Sequence, residues 1–253
     1  MRLKNKVSLI TGAGSGIGQA TAVQFASEGA IAVVVDRNLE SAEKTQHLIE
    51  QAGGVAQTLV VDITQEQQVA NAIATTVQQF GRLDILHNNA GVSVLKPITE
   101  TTEADWDFLF GVNLKGMFFG CKHAIPYMVQ QGGGVIINTA SELAIMGQAL
   151  YTAYCATKGG VLAFTRALSV EWAAKGIRIN AICPGPVDTP MLQSEFILAT
   201  DPGAEETATI QSIPAGRLGM PEDIARVAVF LASEDASFVH GAAIVADGGR
   251  TIF

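Results

Sequence analysis

Tyr154 and Lys158 stand four residues apart in a stretch patterned as a helix, so both side chains leave one face about one turn apart. An ammonium beside a phenol stabilises the phenolate. It therefore draws the phenol below its ordinary pKa of ~10, towards a range useful for moving protons. Ser141 lies thirteen residues upstream, shortly after the apolar run Val135-Ile136-Ile137. At the carboxyl edge of such a strand, a hydroxyl is placed to hold a substrate oxygen beside the phenol. The Tyr-x-x-x-Lys spacing alone is common on exposed helix faces, so the assignment depends on what surrounds it.

A second constellation lies near the N-terminus. The string Thr11-Gly12-Ala13-Gly14-Ser15-Gly16-Ile17-Gly18 follows an apolar strand and opens a helical pattern. Glycines here permit a tight turn and let the backbone approach a pyrophosphate, while N–H groups of the helix start face the anion. Asp36 ends the second strand pattern, 18 residues after Gly18. A carboxylate at that place accepts hydrogen bonds from an adenosine ribose and repels a 2′-phosphate, which points to NAD rather than NADP. Arg37 follows directly and could pair with a 2′-phosphate if Asp36 swung aside.

These groups need a scaffold, and the chain supplies a regular one. Short β-branched runs at residues 7–10, 31–35, 55–61, 83–87, 135–138, 177–182 and 243–246 read as buried strands. Helical patterns at 18–28, 40–52, 66–80, 104–130, 151–175 and 222–232 separate most of them. That alternation predicts an α/β fold, a doubly wound parallel sheet of about seven strands with helices on both faces. Residues 186–217 break the rhythm, with Pro190, Pro202, Gly203 and Pro214, and read as a long functional loop or lid over the site. No linker marks a second domain, so residues 1–253 are read as a single one.

Composition narrows the function further. Of 253 residues, 48% are hydrophobic and 16% charged, enough to bury a large core. Sixteen Lys and Arg against 24 Asp and Glu leave a net charge of -8, a poor match for nucleic acid or anionic membrane surfaces. No apolar run reaches the ~18 residues of a membrane span, and no signal-peptide pattern is seen, so a cytoplasmic protein is expected. Cys121, Cys155 and Cys183 are odd in number and widely spaced, which reads as small buried hydrophobes. His47, His87, His123 and His240 are scattered away from ligand spacing, so the chemistry is read as metal-free.

Together these residues resemble the classical short-chain dehydrogenase/reductase family. The resemblance spans the chain: the glycine string, Asp62-Ile63, Asn88-Asn89-Ala90-Gly91, Asn113, Ser141, Tyr154 to Lys158, Pro184-Gly185 and Asp247-Gly248-Gly249. It implies a Rossmann-type domain and an oxidoreductase that interconverts a secondary alcohol and a ketone by hydride transfer with NAD. By that resemblance Gly12, Ser15, Gly16, Ile17, Gly18, Asp36 and Arg37 serve the cofactor. Asp62 and Ile63 would hold its adenine, Asn89, Ala90 and Gly91 its ribose side, and Val187 and Thr189, after Pro184-Gly185, its carboxamide. Tyr154 would be the acid/base and Ser141 the oxyanion donor, while Lys158 would also hold the nicotinamide ribose. Asn113 is similar to the family's helix-kink residue, which holds a water that relays protons to Lys158.

The substrate stays open at this level among secondary alcohols, polyols, sugars and hydroxysteroid-like compounds. Pocket candidates are Ser93, Val94, Glu142, Leu143, Gln148, Pro186, Met191, Leu192 and Phe196. Glu142 is read with even weight as a hydroxyl ligand or a surface side chain. Two other readings are a 3-oxoacyl-carrier-protein reductase, which would favour NADPH and a basic docking patch, and a non-catalytic dinucleotide-binding protein. For assembly, the apolar content of the two long helices, with Met117, Phe118, Phe119, Val161, Leu162, Phe164 and Leu168, predicts exposed interface. The resemblance makes that a homotetramer.

Overall fold

The computed structural model describes residues 1–252. Seven strands form one parallel sheet in the order β3-β2-β1-β4-β5-β6-β7. They are β1 (Val7–Thr11), β2 (Ile31–Asp36), β3 (Val55–Val60), β4 (Ile85–Asn88), β5 (Gly134–Thr139), β6 (Ile177–Pro184) and β7 (Ala243–Ala246). β1 pairs with β2 on one side and β4 on the other, so the winding reverses direction there and opens a crevice at the strands' carboxyl ends.

Central strands are buried on both faces because neighbouring side chains point to opposite layers. Leu9, Leu86 and Ile136 join one core with Phe119 and Val161, whereas Ile10, Ile85 and Ile137 join the other with Phe25 and Ile224. The helices that cover these layers begin with α1 (Gly16–Ser27), α2 (Leu39–Gln51) and α3 (Glu66–Phe80). Asn38 caps α2 by accepting from Ser41 N at 2.9 Å, and Gly81 ends α3 in the left-handed conformation.

The single helix expected at 104–130 is interrupted. It divides into α4 (Glu103–Phe110), a π turn at Gly111–Lys115 and α5 (Gly116–Gln130). Asn113 lies in the π turn and is spent on tertiary bonds: Val92 N donates to its Oδ1 at 2.8 Å, and its Nδ2 donates to Val92 O and Thr157 Oγ1. Such turns occur where a helix bends to serve a site. Next comes α6 (Thr152–Trp172), which carries Tyr154 and Lys158.

The long loop expected at 186–217 contains two helices, α7 (Pro190–Ile197) and α8 (Pro202–Gln211), before α9 (Pro221–Ala232). Two of the prolines read as breakers, Pro190 and Pro202, are helix starters. Thr189 and Asp201 cap α7 and α8, and Pro190 and Pro202 take the first-turn position where no amide hydrogen is needed. The interface expectation also needs correction. Met117, Phe119, Val161 and Leu162 belong to the core; Phe164 and Leu168 are half-buried. The exposed apolar side chains on α4, α5 and α6 are Trp106, Phe108, Phe118 and Val170. Helical periodicity counts apolar residues without revealing how wide a stripe the sheet covers.

Candidate active site

A cleft of about 1240 Å³ opens at the carboxyl ends of the strands. Gly12, Ser15, Gly16 and Ile17 line one end of it. Gly12 takes φ +64, and an added Cβ there would meet Ala90 Cα at 2.8 Å. Gly18 faces inward instead: a Cβ would collide with Gly12 O at 2.2 Å, so this glycine lets α1 close on the loop. The loop is braced from β4. Asn89 Nδ2 donates to Thr11 O at 3.1 Å, and the backbone of Asn89 and Ala90 donates to Thr11 Oγ1. Gly14 N donates to Asp36 Oδ2 at 2.9 Å and Asn38 N to Oδ1, so backbone amides fix the carboxylate at the rim. Arg37, Asp62, Ile63, Gly91, Pro184, Gly185, Val187 and Thr189 line the same cleft. Bonds from Thr64 hold the Asp62 carboxyl below its usual range.

Ser141, Tyr154 and Lys158 meet farther along. Lys158 is buried; its Nζ donates to Thr139 O at 2.9 Å and lies 5.6 Å from the centre of the Tyr154 ring. Burial pushes its ammonium down to about 8. The Tyr154 phenol is pushed up from its ordinary range, first by burial and then by Glu195 and Glu142, against a lowering hydrogen bond with Ser141. The lowering expected from the spacing is thereby corrected: desolvation of the phenolate sets the direction of the shift. A half-buried phenol beside a buried hydroxyl and ammonium, at the end of a dinucleotide-sized cleft, can exchange a proton with a carbonyl or alcohol oxygen.

Comparison with known proteins agrees with that geometry. A family model described as Enoyl-(Acyl carrier protein) reductase matches residues 12–251. The chain is 40% identical to the 3-oxoacyl-[acyl-carrier-protein] reductase FabG of Thermotoga maritima over 252 residues, all of both chains. It is also 40% identical to the cyclohexanol dehydrogenase of Acinetobacter sp. (strain SE19), over 99% of this chain and 96% of that one. A short-chain type dehydrogenase/reductase from Mycobacterium marinum superposes with TM-score 0.93 at 31% identity, over 98% and 96% of the two chains. The chain is a short-chain dehydrogenase/reductase. It is an NAD(P)-dependent oxidoreductase acting on CH–OH groups, interconverting alcohol and ketone by hydride transfer.

Within this dehydrogenase/reductase, the cleft gathers the residues given a catalytic, cofactor or pocket role from sequence, with four exceptions. Gly18 supports the loop from behind, Asn113 braces the π turn, and Ser93 and Val94 do not line the cleft. Ser93 instead gives its hydroxyl to Glu195. Glu142, Leu143, Gln148, Pro186, Met191, Leu192 and Phe196 all line it. The surface alternative for Glu142 is overturned, because its side chain is buried beside Arg250. Sequence reasoning missed Tyr151, Glu195 and Arg250, which share the cleft. Tyr151, three residues before Tyr154, carried the one local signal: its ring packs edge-on against Tyr154, centroids 6.0 Å apart.

Proposed function

We propose that this enzyme oxidises a secondary alcohol, or reduces the matching ketone, with NAD as the preferred dinucleotide and Tyr154 as acid/base. The observation that carries the reading is the meeting of Ser141, Tyr154 and buried Lys158 at the end of the cleft that Asp36 and the glycine loop begin. The nicotinamide, when bound, supplies or takes the hydride. Tyr154 holds the transferable proton at the substrate oxygen, and Ser141 donates to that oxygen as charge develops. Lys158 carries positive charge next to the phenol and would hold the nicotinamide ribose. Asn113 positions α6 through Thr157, and Val187 and Thr189 would hold the carboxamide. Helices α7 and α8 form a lid whose Met191, Leu192 and Phe196 exclude water from the reacting carbon.

Asp36 supports NAD because both of its oxygens already accept backbone amides, which hold the charge where a 2′-phosphate would sit. NAD is expected to be used about tenfold or more efficiently than NADP, about 1.4 kcal/mol in kcat/KM. The Asp36→Ala variant narrows that ratio; equal efficiency of both dinucleotides in the wild type sinks the argument. The same carboxylate disfavours a carrier-protein-linked ketoacyl reductase, which would call for NADPH.

No described helix is long and apolar enough to cross a membrane, which fits a cytoplasmic enzyme. Assembly as a homotetramer fits the exposed Trp106, Phe108 and Phe118 on α4 and α5, Val170 on α6, and the open edge of β7. Light scattering at micromolar concentration is expected to return four chain masses, and a monomer mass would refute this.

A further inference from the structure

Glu142 directly follows Ser141, lines the cleft and is only 2% exposed. Arg250, from the C-terminal segment, donates to its Oε1. The other carboxylate oxygen, Oε2, is buried with no hydrogen-bond partner. A carboxylate oxygen so placed costs stability until a donor reaches it.

The neighbouring groups do not supply that donor. The Arg250 guanidinium is already divided among Glu142, Gln148 Oε1 at 3.1 Å and Ser212 Oγ at 3.0 Å. Tyr151 gives its hydroxyl to Glu195 Oε2 at 2.7 Å, and Ser93 gives its own to Glu195 Oε1. Glu195 comes from α7 and is a second carboxylate on the cleft wall. Both carboxylates lie close enough to Tyr154 to raise its phenol. Apart from the Ser141 and Tyr154 hydroxyls and the Gln148 amide, this wall offers acceptors, and its arginine is already paired with Glu142. An anionic substrate would face two carboxylates there. A neutral molecule with a free hydroxyl would bring the missing hydrogen.

We infer that the substrate is a neutral diol or polyol carrying a second hydroxyl beside the reacting carbinol, or in reduction the matching hydroxyketone, and that Glu142 accepts a hydrogen bond from this second hydroxyl. The inference rests on the alcohol–ketone reading above and deepens it. The carbinol carbon loses a hydride to the dinucleotide and its oxygen a proton to Tyr154. The second hydroxyl stays intact.

The test compares dinucleotide-linked oxidation of cyclohexanol, its vicinal trans-diol, the monomethyl ether of that diol, and a ring hydroxy acid. In the wild type, kcat/KM for the diol is expected about tenfold above cyclohexanol and the ether, with the hydroxy acid about tenfold below cyclohexanol. Because Arg250 keeps an oxygen towards itself, Glu142→Gln turns the orphan acceptor into an N–H donor. The diol-to-ether ratio then falls to roughly one, since the ether can accept but not donate. A diol no better than cyclohexanol, or a hydroxy acid as the best substrate, overturns the inference and leaves the alcohol–ketone reading standing. Failure to oxidise any of the four with NAD or NADP overturns both. The wild-type series decides by itself, so the test does not depend on the variant folding.

Discussion

Replacing Tyr154 with phenylalanine abolishes turnover while dinucleotide binding stays near that of the wild type. The substitution removes one hydroxyl and keeps the ring that packs edge-on against Tyr151 and lies over Lys158. What is lost is the proton at the substrate oxygen, and a positioned proton donor contributes about 10²- to 10⁴-fold. The neighbouring phenol cannot take over, because Tyr151 gives its hydroxyl proton to Glu195. Turnover is followed by NADH absorbance and binding by dinucleotide titration in the same preparation. Activity above a few per cent of wild type would place the acid/base role on another residue.

Lys158→Met is expected to cost about 10³-fold in kcat/KM and to weaken dinucleotide binding, yet to raise thermal stability at pH 7. Its ammonium is 3% exposed and makes one hydrogen bond, to Thr139 O. Burial holds its pKa at about 8 in the fold, against ~10.4 for an unfolded lysine. At pH 7 both states are protonated, so the folded protein carries the full cost of burying the charge. That cost is roughly 3 kcal/mol by linkage, offset by about 1 kcal/mol for the hydrogen bond. Methionine fills a similar volume without the charge, so a rise of several degrees in Tm is expected. The pH dependence has a definite sign. As pH rises from about 8 towards ~10.4, the folded state has lost the proton and the unfolded state keeps it, so wild-type stability increases through that window. The variant lacks this increment, and the two melting curves converge at alkaline pH. A variant that melts lower than wild type at pH 7, with the same pH slope, would refute the argument.

The two expectations point to one physical conflict. The fold half-buries a phenol and buries an ammonium, and desolvation works against the charged form of each, raising the phenol and lowering the ammonium. Sequence spacing captures only their attraction. Their desolvation depends on β5, the 3₁₀ turn at Glu142–Ala144 after it and the lid, none of which Tyr154 and Lys158 announce by themselves.

Alternating apolar runs and amphipathic stretches were enough to determine the doubly wound parallel sheet, because both-face burial and helical periodicity are local properties of the chain. The glycine string, Asp36 and the four-residue Tyr-to-Lys spacing were legible for the same reason: each depends on neighbours within a turn or one βα unit. Only the tertiary structure decided how far the helices bury their apolar stripes, which sent Met117 and Phe119 to the core and left Phe118 exposed. It also decided the acceptor wall of the cleft. Glu142 meets Arg250 across 108 residues, and Glu195 meets Ser93 across 102. No local preference pairs residues so far apart, because those bonds form only after the sheet has brought its carboxyl ends together and closed the long connections over them.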